Sequence, residues 1–336
     1  MDNVLPQQSS STPAKPRRAL LLANPHARQV AAQFPQVIEL LSDAGLELVV
    51  QTPDDPGKLP KLIHQHRDQV DCVIVGGGDG TLNGVADALV ETQLPLGILP
   101  LGTANDLART LGLPLQLDAA CAVIAAGHLR RIDLGRVNDK HYFNAASLGL
   151  SVQICRQLDK GAKQRWGVLA YPVTTAKSLW QMRPIRVVIS DGHNSWQAKT
   201  VQLTVGNGRF FGGGMTVDEE AEIDDQQLNL YSIEIEHWSE MPLMFWSLWR
   251  GRLERLSKVR TLEGQYFEVK TRRPYWVNTD GELTVRTPAT FRTVPLALAV
   301  FAPPPRPATM STDAPPTVSS LQCENETLKE HNAQQP

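Results

Sequence analysis

The residues best suited to chemistry stand together at Gly76-Gly77-Gly78-Asp79-Gly80-Thr81-Leu82. Val70 to Val75, just before them, is an apolar, β-branched run of the kind that forms a buried parallel strand. Leu82, Val85, Ala86 and Leu89, just after, recur at helical spacing. A strand turning through glycines into a helix N-terminus offers backbone N–H groups on a positive dipole end, which suits a phosphate. Asp79 would repel that phosphate directly, but it could face a Mg²⁺ that binds it. Gly-rich strand-to-helix turns also occur in α/β folds with no ligand. Two phosphate motifs are excluded by inspection: no G-x-x-x-x-G-K-[ST] is present, and Thr81 stands where G-x-G-x-x-G needs its third glycine. His66-Arg67-Asp68 is a chance likeness to a protein-kinase catalytic loop, because Val73 stands where that loop needs Asn.

The elements that must position this turn alternate. Arg18–Ala23 reads as a strand, Val30–Asp43 as a helix ended by Gly45, Leu46–Gln51 as a strand, and Gly57–Asp68 as a helix. Pro95–Pro100 reads as another strand, followed by Leu101-Gly102-Thr103-Ala104-Asn105-Asp106-Leu107 and helices through Leu111 and over Leu117–Ala126. Thr103 is expected to N-cap the first of these, or to contact a nucleotide phosphate. Such alternation predicts a parallel α/β sheet, whose ligands sit at the carboxyl ends of its strands. Asn24, Thr52 and Gly76–Thr81 all fall at such ends.

From Arg131 the pattern becomes one of short strands: Arg131–Val137, His141–Ala146, Arg186–Ser190, Gln197–Gly206, Leu228–Ile235, Tyr266–Lys270, Trp276–Thr279, Leu283–Thr287 and Ala297–Phe301. Helical insertions are expected near Gln164–Gln181 and Glu240–Leu256. The domains expected are therefore a disordered arm over 1–17, an α/β domain over 18–130, a β-rich domain over 131–302, and a disordered tail over 303–336.

The 336 residues suffice for two cores, and a net charge of −2 implies no polyanionic partner such as nucleic acid. Cysteines at 72, 121, 155 and 323 show neither pairing nor metal-ligand spacing, which suggests a reducing cytoplasm. The polar start lacks the apolar core of a signal peptide, and no apolar run is long enough to span a bilayer. Membrane contact would then be peripheral. Met241–Arg250, rich in Trp and Met, either makes that contact or packs on the β domain.

The two glycine blocks, with Asn144 and Gly149, Gly206-Asn207, Gly212–Met215, Ile223-Asp224-Asp225 and Val277-Asn278-Thr279-Asp280-Gly281-Glu282-Leu283, resemble the diacylglycerol kinase catalytic-domain family. The likeness is closest to its bacterial lipid kinases and spans about residues 18–302. It implies an α/β nucleotide-binding domain, like those of phosphofructokinase and NAD kinase, followed by a β-rich domain, with the active site in the cleft between them. ATP would contact Asn24, Thr52, Gly76, Gly77, Gly78, Asp79, Gly80, Thr81, Leu82 and Thr103. Glu282 would be the general base with Asp280 beside it, and a structural Mg²⁺ would lie at Glu222, Asp225 and Gln227. The acceptor would be a diacylglycerol-, sphingoid- or glycerolipid-like hydroxyl at a membrane surface. Asp280-Gly281-Glu282 alone also reads as a hairpin turn. Gln226 stands where many members carry glycine, and Asn24-Pro25-His26-Ala27-Arg28 lacks the usual glycine. Phosphorylation of a soluble nucleotide, as by NAD kinase, and a non-catalytic lipid- or nucleotide-binding regulator are the competing readings. The oligomeric state, a homodimer included, stays open.

Overall fold

The computed structural model describes residues 17–23, 28–157, 184–208, 210–211, 215–216, 223–234 and 259–304. The expected helices near 164–181 and 240–256, Asn24 and Glu222 lie outside them.

The first half is β1 (Arg18–Ala23), α1 (Arg28–Asp43), β2 (Glu47–Gln51), α2 (Leu59–His66), β3 (Cys72–Gly77), α3 (Asp79–Thr92), β4 (Leu96–Pro100), α4 (Asp106–Thr110) and α5 (Leu117–Ala126). Its strands pair in parallel in the order β2-β1-β3-β4. Alternate side chains explain how both faces are covered. Leu20, Leu22, Val73 and Val75 meet Ile63 of α2 and Val85 and Leu89 of α3, whereas Leu21, Ile74 and Leu99 meet Val37 and Leu41 of α1 and Ile124 of α5. All four carboxyl ends therefore open on one edge.

The second half is β5 (Leu129–Val137), β6 (Lys140–Tyr142), β7 (Ala145–Gly149), α6 (Leu150–Gln157), β8 (Ile185–Ser190), β9 (Ser195–Gly206), β10 (Phe210–Phe211), β11 (Met215–Thr216), β12 (Leu228–Glu234), β13 (Val259–Gly264), β14 (Tyr266–Thr271), β15 (Trp276–Thr279), β16 (Glu282–Arg286) and β17 (Ala289–Phe301). Its pairings are antiparallel and enclose a second core built on Phe267, Phe291, Leu203, Val205, Leu230 and Val277.

β17 joins the halves. It pairs with β14 through Phe291↔Phe267, with β5 through Phe301↔Leu129, and in parallel with β4 through Val300↔Leu96. The expected strand at Ala297–Phe301 is the last part of this longer one. Pro295, unable to donate to a ladder, falls where the register with β5 shifts between Val294 and Leu298. Leu296 takes φ 48° there and gives its N–H to the buried Asp133 carboxylate at 2.6 Å.

Other expectations are corrected. His141–Ala146 is not one strand: the chain breaks at Phe143-Asn144, whose N–H groups turn to a carboxylate described below. β13 and α6 were not anticipated. Thr103 does not cap α4. Asn105 holds that position with φ 52°, and no side chain caps the helix there.

Candidate active site

β3 runs into α3 with Gly78 as N-cap and no side-chain capping bond. Thr81 and Leu82 give their N–H groups to the Gly78 carbonyl. Asp79 and Gly80 lie in the first turn, whose N–H groups have no acceptor within a helix. The strand end thus presents a pair of donors on the positive end of a 14-residue helix.

The second glycine block is pressed against the first. A Cβ on Gly102 would stand 2.4 Å from the Gly78 Cα, so this approach requires glycine. Asn105 folds the block. Its side chain accepts from the Gly102 N–H at 2.9 Å and donates to the carbonyls of Pro100 and Gly102. Asp79 locks the two together, its Oδ1 accepting the Leu107 N–H at 3.1 Å. Thr103 is exposed on this loop, and Thr52 is exposed at the end of β2. A cavity of about 430 Å³, lined in part by Gly102, Asn105, Gln33 and Gln116, reaches the β4 end from the α1 side.

The third component comes from the other half. Asp280, at φ 47°, and Gly281 turn the chain between β15 and β16. The Asp280 residue is half-buried, with its carboxylate turned inward. Oδ1 accepts the N–H groups of Asn144 and Ala145 at 2.9 and 3.0 Å, and Oδ2 accepts that of Phe143 at 2.7 Å and the Asn83 amide at 3.0 Å. Burial pushes its pKa up to about 6, against the pull of these donors. With its acceptor positions filled by protein N–H groups, the Asp280 carboxylate clamps the turn.

Glu282, two residues on, is exposed. Its Oε1 lies 3.0 Å from where a Gly80 Cβ would be. A carboxylate from the β-rich half therefore rests against the glycine turn of the α/β half. A carboxylate and an uncapped helix N-terminus adjoin.

Asn83, which closes the first glycine block and was given no site role from sequence, makes this juxtaposition. It is 1% exposed, one turn after Asp79 on α3, and its amide is the Asp280 donor from the α/β half. One turn further, Asp87 accepts the Lys140 ammonium and the His141 Nδ1, each at 2.8 Å. Burial pushes Asp87 up, but the hydrogen bonds from His141 and Lys140 outweigh it and hold the group at about 2. The spacing 79, 83, 87 was readable as one helix face; the partners were not.

The remaining blocks gather nearby. Asn144 takes the N–H groups of Asn207 and Gly208 on its carbonyl, and Asn207 donates to the carbonyls of Phe143 and Asp133. Asp79 Oδ2 has no partner among the described residues, and a carboxylate oxygen beside bound phosphates suits Mg²⁺, which takes one or two carboxylates plus phosphate oxygens. The second expected metal position is less assembled. Asp225 and Gln227 are exposed, and Asp225 Oδ1 accepts the Gln227 N–H at 2.8 Å. Among the described residues no group of three or more His, Cys, Asp or Glu could hold an ion.

Residues 18–137 match the model of the diacylglycerol kinase catalytic domain, and residues 144–302 that of the YegS C-terminal NAD kinase beta sandwich-like domain. A "Probable lipid kinase YegS-like" from Klebsiella pneumoniae (strain 342) is 33% identical over 279 residues, covering 82% of this chain and 93% of its own. The chain belongs to the YegS-like lipid kinase family. A relative of the same description from Citrobacter koseri is 33% identical over 276 residues, covering 80% and 91%. Two crystal structures of diacylglycerol kinase-type chains from Bacillus anthracis str. Sterne share the fold, with TM-scores of 0.76 and 0.71 at 24% and 23% identity. They cover 89% and 86% of this chain and 99% and 98% of their own. Among the described residues, no helix of this YegS-like chain is long and apolar enough to cross a membrane.

Proposed function

We propose that the chain transfers the γ-phosphoryl group of ATP, with Mg²⁺, to a hydroxyl of a diacylglycerol-, sphingoid- or glycerolipid-like acceptor. The observation that carries this reading is the Glu282 carboxylate set against Gly80 at the uncapped start of α3. Phosphoryl transfer needs a cradle for the triphosphate and a place for the acceptor's proton, and these adjoin here.

Asn24, Thr52, Gly76–Leu82 and Thr103 would hold the nucleotide along the strand ends of an α/β domain over 18–130. The N–H groups of Asp79 and Gly80 would bind phosphate oxygens, and Asp79 Oδ2 would hold Mg²⁺. That ion, when bound, neutralises charge on the phosphates. Glu282 and Asp280 belong to the β-rich domain over 131–302. Asp280 keeps the turn rigid, and Glu282 takes the acceptor's proton. A carboxylate is too weak a base to ionise an alcohol beforehand, so proton transfer is late and concerted with bond formation. Glu222, Asp225 and Gln227 would hold a structural ion away from the reacting atoms.

The test is phosphorylation by purified protein, with ATP and Mg²⁺, of mixed micelles carrying diacylglycerol, monoacylglycerol, sphingosine, ceramide or phosphatidylglycerol, alongside NAD. A phosphorylated lipid supports the reading and names the acceptor. Labelled NADP would replace it with a soluble-nucleotide kinase, and nucleotide binding without any product would replace it with a regulator.

A further inference from the structure

One end of the β-rich half is crowded with cations. Arg186 of β8 and Lys199 of β9 are direct cross-strand partners, and both are exposed. Like charges placed opposite each other weaken a sheet, so the pair is not there for stability. β14 lies on the other side of β8, with Lys270 paired to Val188 and Thr271 to Val187. The chain then leaves the sheet through Arg272 and Arg273, both exposed, at the level of Arg186. The acids nearest in register already hold cations: Glu268 meets Lys270 at 2.7 Å, and Glu234, paired with Thr200, meets Arg260 at 2.6 Å. Among the described residues no carboxylate pairs with Arg186, Lys199, Arg272 or Arg273.

This concentration stands on a chain of net charge −2, so the remaining surface is on balance acidic. Aromatic groups border it. Tyr275 is 38% exposed, and Trp276 lies under the Arg286 guanidinium at 4.2 Å. Cations flanked by Tyr and Trp suit the headgroup region of a bilayer, where anionic lipid attracts the charge and the rings lie at the boundary. Trp276 opens β15, a strand of about 10 Å that ends at Thr279, directly before the Asp280 turn.

We infer that Arg186, Lys199, Arg272 and Arg273, with Tyr275, form the surface on which the protein docks to an anionic phospholipid bilayer. This rests on the lipid-kinase reading and gives it a direction of approach to the membrane.

The experiment is flotation of the full chain with vesicles of phosphatidylcholine, with and without phosphatidylglycerol. The variants are the combined Arg186→Gln, Lys199→Gln, Arg272→Gln, Arg273→Gln protein and a control at two exposed cations of the α/β half, Lys61→Gln on α2 with Arg67→Gln at its C-cap. The native chain is expected to float with the anionic vesicles only, and less at high salt. The combined variant should lose about fivefold in apparent affinity per charge removed, while the control floats like the native chain. Phosphorylation of lipid in neutral detergent micelles should be unchanged, which separates this inference from the reading beneath it. Loss of micelle activity in the native chain sinks the kinase reading, and the flotation still stands as its own result. Equal flotation of native and combined variant, equal loss in the control, or tighter binding of the native chain to a polynucleotide than to the anionic vesicles would overturn the inference.

Discussion

Asn83 of α3 donates its amide hydrogen to the Asp280 carboxylate across 3.0 Å and 197 positions of sequence. Helix α3 carries the glycine turn at its start, and Asp280 sets the turn from which Glu282 projects. One hydrogen bond therefore ties the position of Glu282, the proposed base, to the position of the glycine turn.

Removing that donor should harm turnover more than nucleotide binding. Asn83→Ala leaves a buried carboxylate short of a partner, and hydrogen bonds to charged groups contribute about 1.5–3 kcal/mol. A fall in kcat of roughly tenfold to a hundredfold is expected, with ATP affinity by titration unchanged. Asn83→Asp is more diagnostic. One shared proton can replace the amide hydrogen at low pH, but its loss leaves two anions in contact. This variant should show an alkaline decline in activity that the native chain lacks.

The pH dependence of the native chain follows from the same clamp. A proton on Asp280 must displace one of its N–H donors, so the charged form holds the turn. Since burial places its pKa at about 6, activity should fall as pH drops through 6. Its effect on stability has the opposite sign. Between about 4 and 6 the folded carboxyl holds a proton that the unfolded chain has released, so stability declines as pH rises across that window.

Asp87 behaves conversely. Its folded pKa of about 2 lies below the ordinary 3.8, so its contribution is complete above about pH 4 and is lost as pH falls through 2. Thermal unfolding from pH 5 to 2 should show a decline that is smaller in Asp87→Asn.

Contact between the glycine blocks gives a stability prediction. In Gly102→Ala the new methyl would stand 2.4 Å from the Gly78 Cα and 2.8 Å from Asn105 Oδ1. Backbone must move, at a cost of about 1–3 kcal/mol. A lower Tm and loss of nucleotide binding should appear together.

What was legible in the sequence was local. The turn at Gly76–Leu82 announces itself because strand, glycines and helix are consecutive, and α5 was read over Leu117–Ala126 as found. Asn83 was given no role because a polar residue inside a helix has no visible partner until Asp280 arrives from far along the chain. Thr103 looked like a cap because hydroxyls usually are, but Asn105 in the left-handed region makes the turn two positions later. β17 was read only over Ala297–Phe301, and its earlier course from Ala289 rests on pairings remote in sequence. The bulge and the Asp133 carboxylate that carry the strand past Pro295 are tertiary features. β13 hides for a related reason: its exposed Val259, Thr261 and Glu263 alternate with half-buried residues and show no apolar face.

The central claim is that Glu282 accepts the acceptor's proton beside the α3 phosphate cradle. Its most direct test is single-turnover phosphoryl transfer from ATP to the micellar lipid, comparing the native chain with Glu282→Gln, with ATP binding measured on both. Glutamine keeps the size of the side chain and one acceptor oxygen but cannot take the proton. The account predicts a loss in transfer rate of about a hundredfold to ten-thousandfold with ATP affinity unchanged. Transfer at the native rate by Glu282→Gln would contradict it.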